Sequence, residues 1–389
     1  MSEAASEDAL QNFLAFREEN LGLDPQKLVM KWAQDPMRKR WAEALQVERR
    51  LRGKLPEAWF EQGFQCHQSK WAEQCSSFTT ARFKSMWLRP NGNLYDLTGG
   101  LGIDSIAFAL RGLAVHYTEL DAELASLSAA NFRCLQLNIQ VQQGDGLQLL
   151  PKQIPSNTYV YLDPDRRPDE RSGKRSRSLD QMSPNWDSIQ DKMPLGGHWL
   201  IKLSPLHDLQ EIIRRMGKAC TLHLLEHQGE CKEVLLEWHE EITRTTVLVH
   251  EVEGKWNALQ WPSSAIGKQP HSFAESPKQY LYDPSPAMNK SMAWDALADA
   301  FGLEKIAPNT HLYTADQMLT AFPGRIFQVT ESLHKKNRPV AASIISKNFG
   351  TSAEELRKSW KLQEDEEVFV ICFRDQKHQR LQLLSKRLR

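Results

Sequence analysis

The sequence predicts an α/β fold: a doubly wound parallel sheet, preceded by a helical region and followed by small α+β modules. Three observations carry this reading. A glycine-rich turn, Gly99-Gly100-Leu101-Gly102, separates a short apolar strand from an amphipathic helix. From there to about residue 252, short apolar runs alternate with helical patterns, the rhythm of a parallel sheet with right-handed crossovers. The first four expected strands each lead to a carboxylate: Asp96, Glu119, Asp145 and Asp163.

Residues 1–90 read as a separate helical region. Ala9 to Phe16, Asp24 to Trp32 and Trp41 to Leu51 carry helical spacing, with Trp32, Trp41 and Trp59 as bulky packing residues. The polar stretch Glu73-Gln74-Cys75-Ser76-Ser77 leads into Phe78-Thr79-Thr80-Ala81-Arg82-Phe83-Lys84, just ahead of the first strand. Gln74, Ser76, Arg82 and Lys84 are therefore candidates to close over a ligand, Ser76, Arg82 and Lys84 as substrate contacts. The same stretch also reads as an ordinary helix capped near Ser77.

The first strand, Asn93 to Leu97, ends on a carboxylate, and Ile103, Ile106, Ala107, Ala109 and Leu110 then cover one face of a helix. Strand, tight turn and helix start together let a nucleotide-like ligand lie against bare backbone. A dinucleotide fingerprint requires G-x-G-x-x-G, whereas Ser105 stands where its last glycine belongs. The spacing acidic-x-(Gly/Thr)-x-Gly-x-Gly instead resembles the first motif of class I S-adenosylmethionine (SAM) methyltransferases. That resemblance implies that Asp96 faces the methionine end of the cofactor and that Thr98, Gly100, Gly102 and Asp104 belong to the cofactor site.

The second strand, Ala114 to Thr118, runs into Glu119-Leu120-Asp121. A carboxylate at this strand tip suits two ribose hydroxyls, so Glu119 with Leu120 is assigned to the cofactor and Asp121 to capping the helix from Ala122 to Leu135. The third strand, Ile139 to Gln142, reaches Gly144-Asp145-Gly146; in the resembled family a carboxylate here accepts from the adenine amino group, which implies that role for Asp145, with Gly146 beside it.

The fourth strand, Tyr159 to Leu162, ends in Asp163-Pro164-Asp165-Arg166-Arg167-Pro168. Many nucleic-acid amino-methyltransferases carry Asp-Pro-Pro-aromatic here, holding the target amine. Asp163 and Pro164 match; Asp165 replaces the second proline and Arg166 the aromatic, although a guanidinium plane also stacks on a base. Asp163, Pro164, Arg166 and Arg167 are the catalytic candidates. The loop Arg171-Ser172-Gly173-Lys174-Arg175-Ser176-Arg177 adds positive charge at the ligand end of the sheet, and Arg171, Lys174 and Arg175 are candidates for a phosphate-bearing substrate.

The same rhythm continues with helices over Pro184 to Met193 and Leu206 to Met216, and strands over His198 to Leu203, Thr221 to Leu225, Glu233 to Trp238 and Thr245 to Val252. The corner Lys202-Leu203-Ser204-Pro205 falls on the ligand-facing rim. Beyond residue 253 the pattern changes to short strands and helices of mixed spacing: a helix from Met292 to Phe301, strands Ile326 to Val329, Val340 to Ser346 and Glu367 to Phe373, a helix from Ser352 to Trp360, and a basic tail from Arg374.

Taken together, Glu73 to Ser77, Asp96-Leu97-Thr98-Gly99-Gly100, Asp163-Pro164-x-Arg166-Arg167 and Gly229-Glu230-Cys231-Lys232-Glu233 resemble a bacterial family of class I SAM-dependent methyltransferases. Tyr282-Asp283-Pro284, Thr310-His311-Leu312-Tyr313, Phe322-Pro323-Gly324-Arg325 and the Val340 to Phe349 stretch extend the resemblance over nearly the whole chain. It implies a Rossmann-like SAM methyltransferase sheet over 91–252, a ferredoxin-like module over 253–321 and a THUMP-like module over 322–389. THUMP modules bind structured RNA, usually tRNA, so methylation of tRNA or rRNA is the expected activity. A SAM enzyme acting on a protein or small molecule, and a binder that has lost chemistry, are the alternatives.

Composition bounds these expectations. Lysine plus arginine and aspartate plus glutamate both number 49, so any nucleic-acid surface must be local. The six cysteines form no C-x-x-C pair, which argues against a zinc ribbon and a disulfide framework. No secretory signal and no apolar stretch near the ~20 residues of a membrane span is visible, so a cytoplasmic protein is expected. No metal-ligand cluster and no nucleophilic triad stands out, and oligomeric state is not legible.

Overall fold

The computed structural model describes residues 3–166, 179–334 and 337–389. The chain divides into two compact units, Met1–Leu203 with Leu236–Glu241, and Ser204–Leu235 with Ile242–Arg389.

The first unit opens with three helices, Glu3–Asn20, Pro25–Lys31 and Pro36–Leu51, the first and third longer than the apolar spacing suggests. Capping explains two of the starts. Asp24 accepts from the Gln26 N–H at 2.9 Å and Asp35 from those of Met37 and Arg38 at 3.2 and 3.1 Å, with Pro25 and Pro36 at the first helical positions. Trp32 and Trp41, half-buried, pack against the cluster of Phe16, Leu28, Ala42 and Leu45, so both are packing residues. Nearby, Arg17 grips Glu48 through two bonds of 3.0 and 2.8 Å, a buried bidentate pair.

Five parallel strands follow: β1 (Asn93–Asp96), β2 (Ala114–Glu119), β3 (Gln140–Gln143), β4 (Ile154–Leu162) and β5 (Gly196–Leu203). Their order is β5-β4-β1-β2-β3. The chain therefore steps outward from β1 to β3 and returns to the other side of β1, so strand order reverses between β1 and β4. Ligands of doubly wound sheets lie over the carboxyl ends at such a reversal. Residues Val160, Tyr161 and Leu162 of β4, and Trp199, Leu200 and Ile201 of β5, are buried in succession, as strands covered on both faces require.

In the second unit, β6 (Thr221–His227) pairs parallel with β8 (Thr246–Glu251), and β9 (Leu259–Pro262) runs antiparallel to β8. Between β6 and β8 in sequence, β7 (Glu230–Trp238) crosses the division between the units. Then come β10 (Tyr280–Pro284), β11 (Glu304–Ala307), β12 (Thr310–Ala315), β13 (Gly324–Ser332), β14 (Ser343–Lys347), β15 (Val368–Arg374) and β16 (Arg380–Arg387). These seven form one sheet in the order β11-β12-β10-β13-β16-β15-β14. Only the β14–β15 pair is parallel.

This sheet corrects the reading of the last residues as a basic tail. Arg380–Arg387 lies between β13 and β15, because Leu381, Leu383 and Ser385 alternate with Arg380, Gln382, Leu384 and Lys386 at the strand period of two. The sheet also runs without a break past residue 322, since Tyr282 pairs with Ile326 and Pro284 with Gly324. Asp283, 2% exposed, binds Lys347 at 2.9 Å and Arg325 at 2.5 Å across that join. Among the described residues no helix is long and apolar enough to cross a membrane.

Candidate active site at the carboxyl ends of the parallel strands

The turn after β1 is held from below. Asp96, 1% exposed, accepts from the Thr98 N–H at 3.2 Å and from the Ser105 hydroxyl at 2.7 Å. Burial pushes its carboxyl up to about 7. Asp96 therefore anchors the turn from inside rather than facing a ligand, which revises the role expected of it. Gly102, at φ 80°, adopts a left-handed backbone, and a Cβ there would fall 2.5 Å from the Phe132 ring. Gly100, at φ 55°, is different: a Cβ on it would meet no atom of the chain closer than 4.0 Å. Bare backbone thus faces open space at the position where the sequence expects a cofactor, which is the shape that such a group requires.

The tips of β2 and β3 border this turn. Glu119 accepts from the Gly100 N–H at 2.8 Å and the Asp121 N–H at 2.9 Å, joining the strand tip to the glycine turn. Each oxygen keeps a further lone pair for a ligand hydroxyl. Leu120 beside it is 68% exposed, so its apolar side chain is free to contact a ligand. Asp121 caps the helix Ala122–Cys134, as expected. Asp145 caps the short helix Gly146–Leu149 through Leu147 at 3.0 Å and binds the Gln148 amide at 3.0 Å. At Gly146 a Cβ would lie 2.3 Å from the Leu97 carbonyl, so the β3 tip presses directly on the β1 turn.

Asp163 follows β4. Its N–H donates to Thr98 Oγ1 at 2.6 Å, and its Oδ2 receives Lys202 Nζ at 2.6 Å. Lys202 comes from β5 and also donates to Ser76 Oγ at 2.9 Å. Ser76 donates in turn to Asp104 Oδ2 at 2.7 Å, which accepts from the Tyr161 hydroxyl at 2.9 Å as well. Asp104 Oδ1 is paired with Lys84 at 2.9 Å. Residues from four segments thus form one polar chain, Asp163–Lys202–Ser76–Asp104–Lys84, under the rim. Burial raises the Asp163 carboxyl above its usual range, and Lys202 opposes that rise.

Burial alone would raise Asp104 too, but Lys84 and then Lys202 overturn this and hold it at about 2. An unfolded aspartate titrates near ~3.9, so the stability this carboxylate adds is complete above about pH 4 and drains as the pH falls through about 2. Asp104→Asn is expected to lower the melting temperature at neutral pH and to flatten its fall between about pH 4 and 2; parallel slopes for both proteins would assign the acid transition to other groups.

The remaining expected site residues sort as follows. Lys84 is 2% exposed beneath Asp104 and also bonds the Tyr161 hydroxyl at 3.3 Å, so it is an internal ion-pair partner and not a substrate contact. Asp104, 8% exposed, serves the same network. Arg82 is exposed on the helix Phe78–Ser85, which Ser77 caps at 3.2 Å, the ordinary capped helix that its sequence also allowed. Gln74 reaches Asp165 at 3.1 Å. Pro164 follows Asp163 directly, and Asp165–Arg166 pairs with Met182–Ser183. The Arg166 side chain, and Arg167, Arg171, Lys174 and Arg175, lie outside the described residues.

Residues 280–323 match a family described as a ferredoxin-like domain, and residues 324–387 one described as THUMP domain-like. Among curated proteins no sequence matches. Among solved structures, a presumed methyltransferase from Porphyromonas gingivalis W83 superposes with a TM-score of 0.83, over 98% of this chain and 99% of that one, at 24% identity. The two chains share one fold. A presumed class I S-adenosylmethionine-dependent methyltransferase from Listeria monocytogenes covers 64% of this chain and 93% of its own, at 13% identity and a TM-score of 0.36, a partial likeness on which nothing rests.

The strongest addition to the expected site is Lys202. The sequence placed it on the ligand-facing rim but not against Asp163, since 38 residues separate the two. The signal lay in its setting: a lone lysine within the apolar run of β5 needs a buried anionic partner, and the tip of the adjacent strand supplies one.

Proposed function

We propose that this chain is a SAM-dependent methyltransferase whose substrate is RNA, of the tRNA or rRNA class. The observation that carries the cofactor is the open face over Gly100, bordered by Glu119, Leu120 and Asp145 and reached by Asp163 from the same rim. SAM, when bound, supplies a methyl carbon already activated for displacement. Gly100 offers backbone without a side chain, Glu119 receives the ribose hydroxyls, Leu120 covers the adenine and Asp145 accepts from its amino group. Asp163, pinned by Lys202, orients the acceptor or receives its proton at Oδ1. Positioning and exclusion of water then account for most of the rate. On this reading 91–252 is the catalytic domain, and 253–321 and 322–389 are the modules that hold the RNA, which the match of 324–387 to a THUMP-like domain supports.

Glu119→Ala is expected to weaken SAM binding by about 1.5–3 kcal/mol, the size of a hydrogen bond to a charged group, as measured by titration calorimetry. Unchanged affinity would remove Glu119 from the ribose. The test of the whole reading is transfer of tritiated methyl from SAM into extracts of cells lacking this gene, followed by nuclease or protease. Label lost to nuclease is the expected result. Label lost to protease discards RNA, and no label despite measurable SAM binding points to a small-molecule acceptor or to lost chemistry.

A further inference from the structure

Away from the rim, near the amino end of β5, three side chains with metal-binding atoms converge. His198 is the third residue of β5. Glu237 closes the apolar stretch of β7 and His239 follows two residues later. In extended chain, residues two apart face the same side, so a Glu-x-His spacing presents both groups together. One ligand atom from each of the three lies within 4.8 Å of the others. The imidazoles of His198 and His239 stand 4.2 Å apart between ring centroids, with the Tyr159 ring 5.4 Å from His198. His239 Nδ1 is buried and has no hydrogen-bond partner among the described residues; the Glu241 carboxylate, at 3.9 Å, is too far to bond it.

We propose that His198, Glu237 and His239 form a binding site for one divalent transition-metal ion, with zinc the best match. Two imidazole nitrogens and one carboxylate oxygen are the donor set of zinc and its neighbours, whereas magnesium and calcium demand oxygen throughout. Zinc bonds such ligands at about 2.0–2.2 Å, so modest side-chain rotation has to draw the three atoms inward. An orphaned buried nitrogen is a cost that coordination removes.

The site stands apart from the proposed chemistry. Lys202 lies four positions along β5 from His198, about 13 Å at ~3.3 Å per residue, toward the opposite end of the strand. The ion therefore acts as a staple between β5 and residues 237–239, with a fourth position left for water.

The test uses the full chain, free of any histidine tag and stripped with chelator, titrated with Co²⁺ as a visible probe and then with Zn²⁺. The expected result is one saturable equivalent of Co²⁺ with visible d–d bands, displaced by Zn²⁺, and a higher melting temperature with metal. Glu237→Gln and His239→Gln should each weaken binding at least about tenfold. His250→Gln, which alters a histidine elsewhere, should leave it unchanged. Should His239→Gln fail to fold by circular dichroism, Glu237→Gln, close in size, decides. No saturable binding by the wild-type chain, equal binding by a folded Glu237→Gln, or loss of binding in a folded His250→Gln overturns the proposal.

Discussion

Asp163→Ala is expected to lower methyl transfer by about 10²- to 10⁴-fold, the range for a positioned group that handles a proton, while SAM binds as before. The separation follows from geometry. The bond from Asp163 to Thr98 Oγ1 uses the backbone N–H, which alanine keeps, so the turn after β1 keeps that support. What is lost is the carboxylate that Lys202 holds at 2.6 Å. Asp163→Asn sharpens the test, because it keeps the shape and removes the charge. Lys202→Met leaves the carboxylate without the cation that opposes its raised pKa, so the acid limb of the pH–rate profile should move to higher pH. Near-normal turnover by Asp163→Ala would place the chemistry elsewhere on the rim.

Lys84→Met should produce the largest loss of stability, about 3–5 kcal/mol by urea unfolding, the usual result of removing one partner of a buried pair. Lys84 is 2% exposed and Asp104 8%, so water cannot replace the lost ammonium. Ser76, Tyr161 and, through Ser76, Lys202 remain on Asp104, which sets the loss within that range rather than beyond it. Adding Asp104→Asn to Lys84→Met should restore part of the stability, since the orphaned charge is then removed. A loss below ~1 kcal/mol would mean that the site rehydrates or that Asp104 takes up a proton.

Most of the parallel sheet was legible because its signals are local. Apolar runs, a glycine turn and strand-ending carboxylates occupy a few consecutive residues each, and the strands formed where the period-two and buried-run patterns placed them. Caps were legible on the same ground: Asp121 starts its helix and Ser352 opens the helix Ala353–Trp360 with a full capping box. The strand Arg380–Arg387 was missed because charge obscured its alternation. Its buried positions, Leu383 and Ser385, are few, and only pairing with β13 and β15 makes the segment a strand.

The candidate site divides the same way. From sequence alone came the residue types at the strand tips: Glu119, Asp145 and Asp163, with the turn between Asp96 and Asp104. The tertiary structure decided which of them face outward. It turned Asp96 and Asp104 inward, made Lys84 a core cation, joined Lys202 to Asp163 and set His198 beside Glu237 and His239. The physical reason is range. Backbone propensity and hydrophobic period act within one turn or one strand, so a linear pattern encodes them. Ion pairs, ligand clusters and burial depend on distances between segments tens of residues apart, which exist only once the sheet has closed around them.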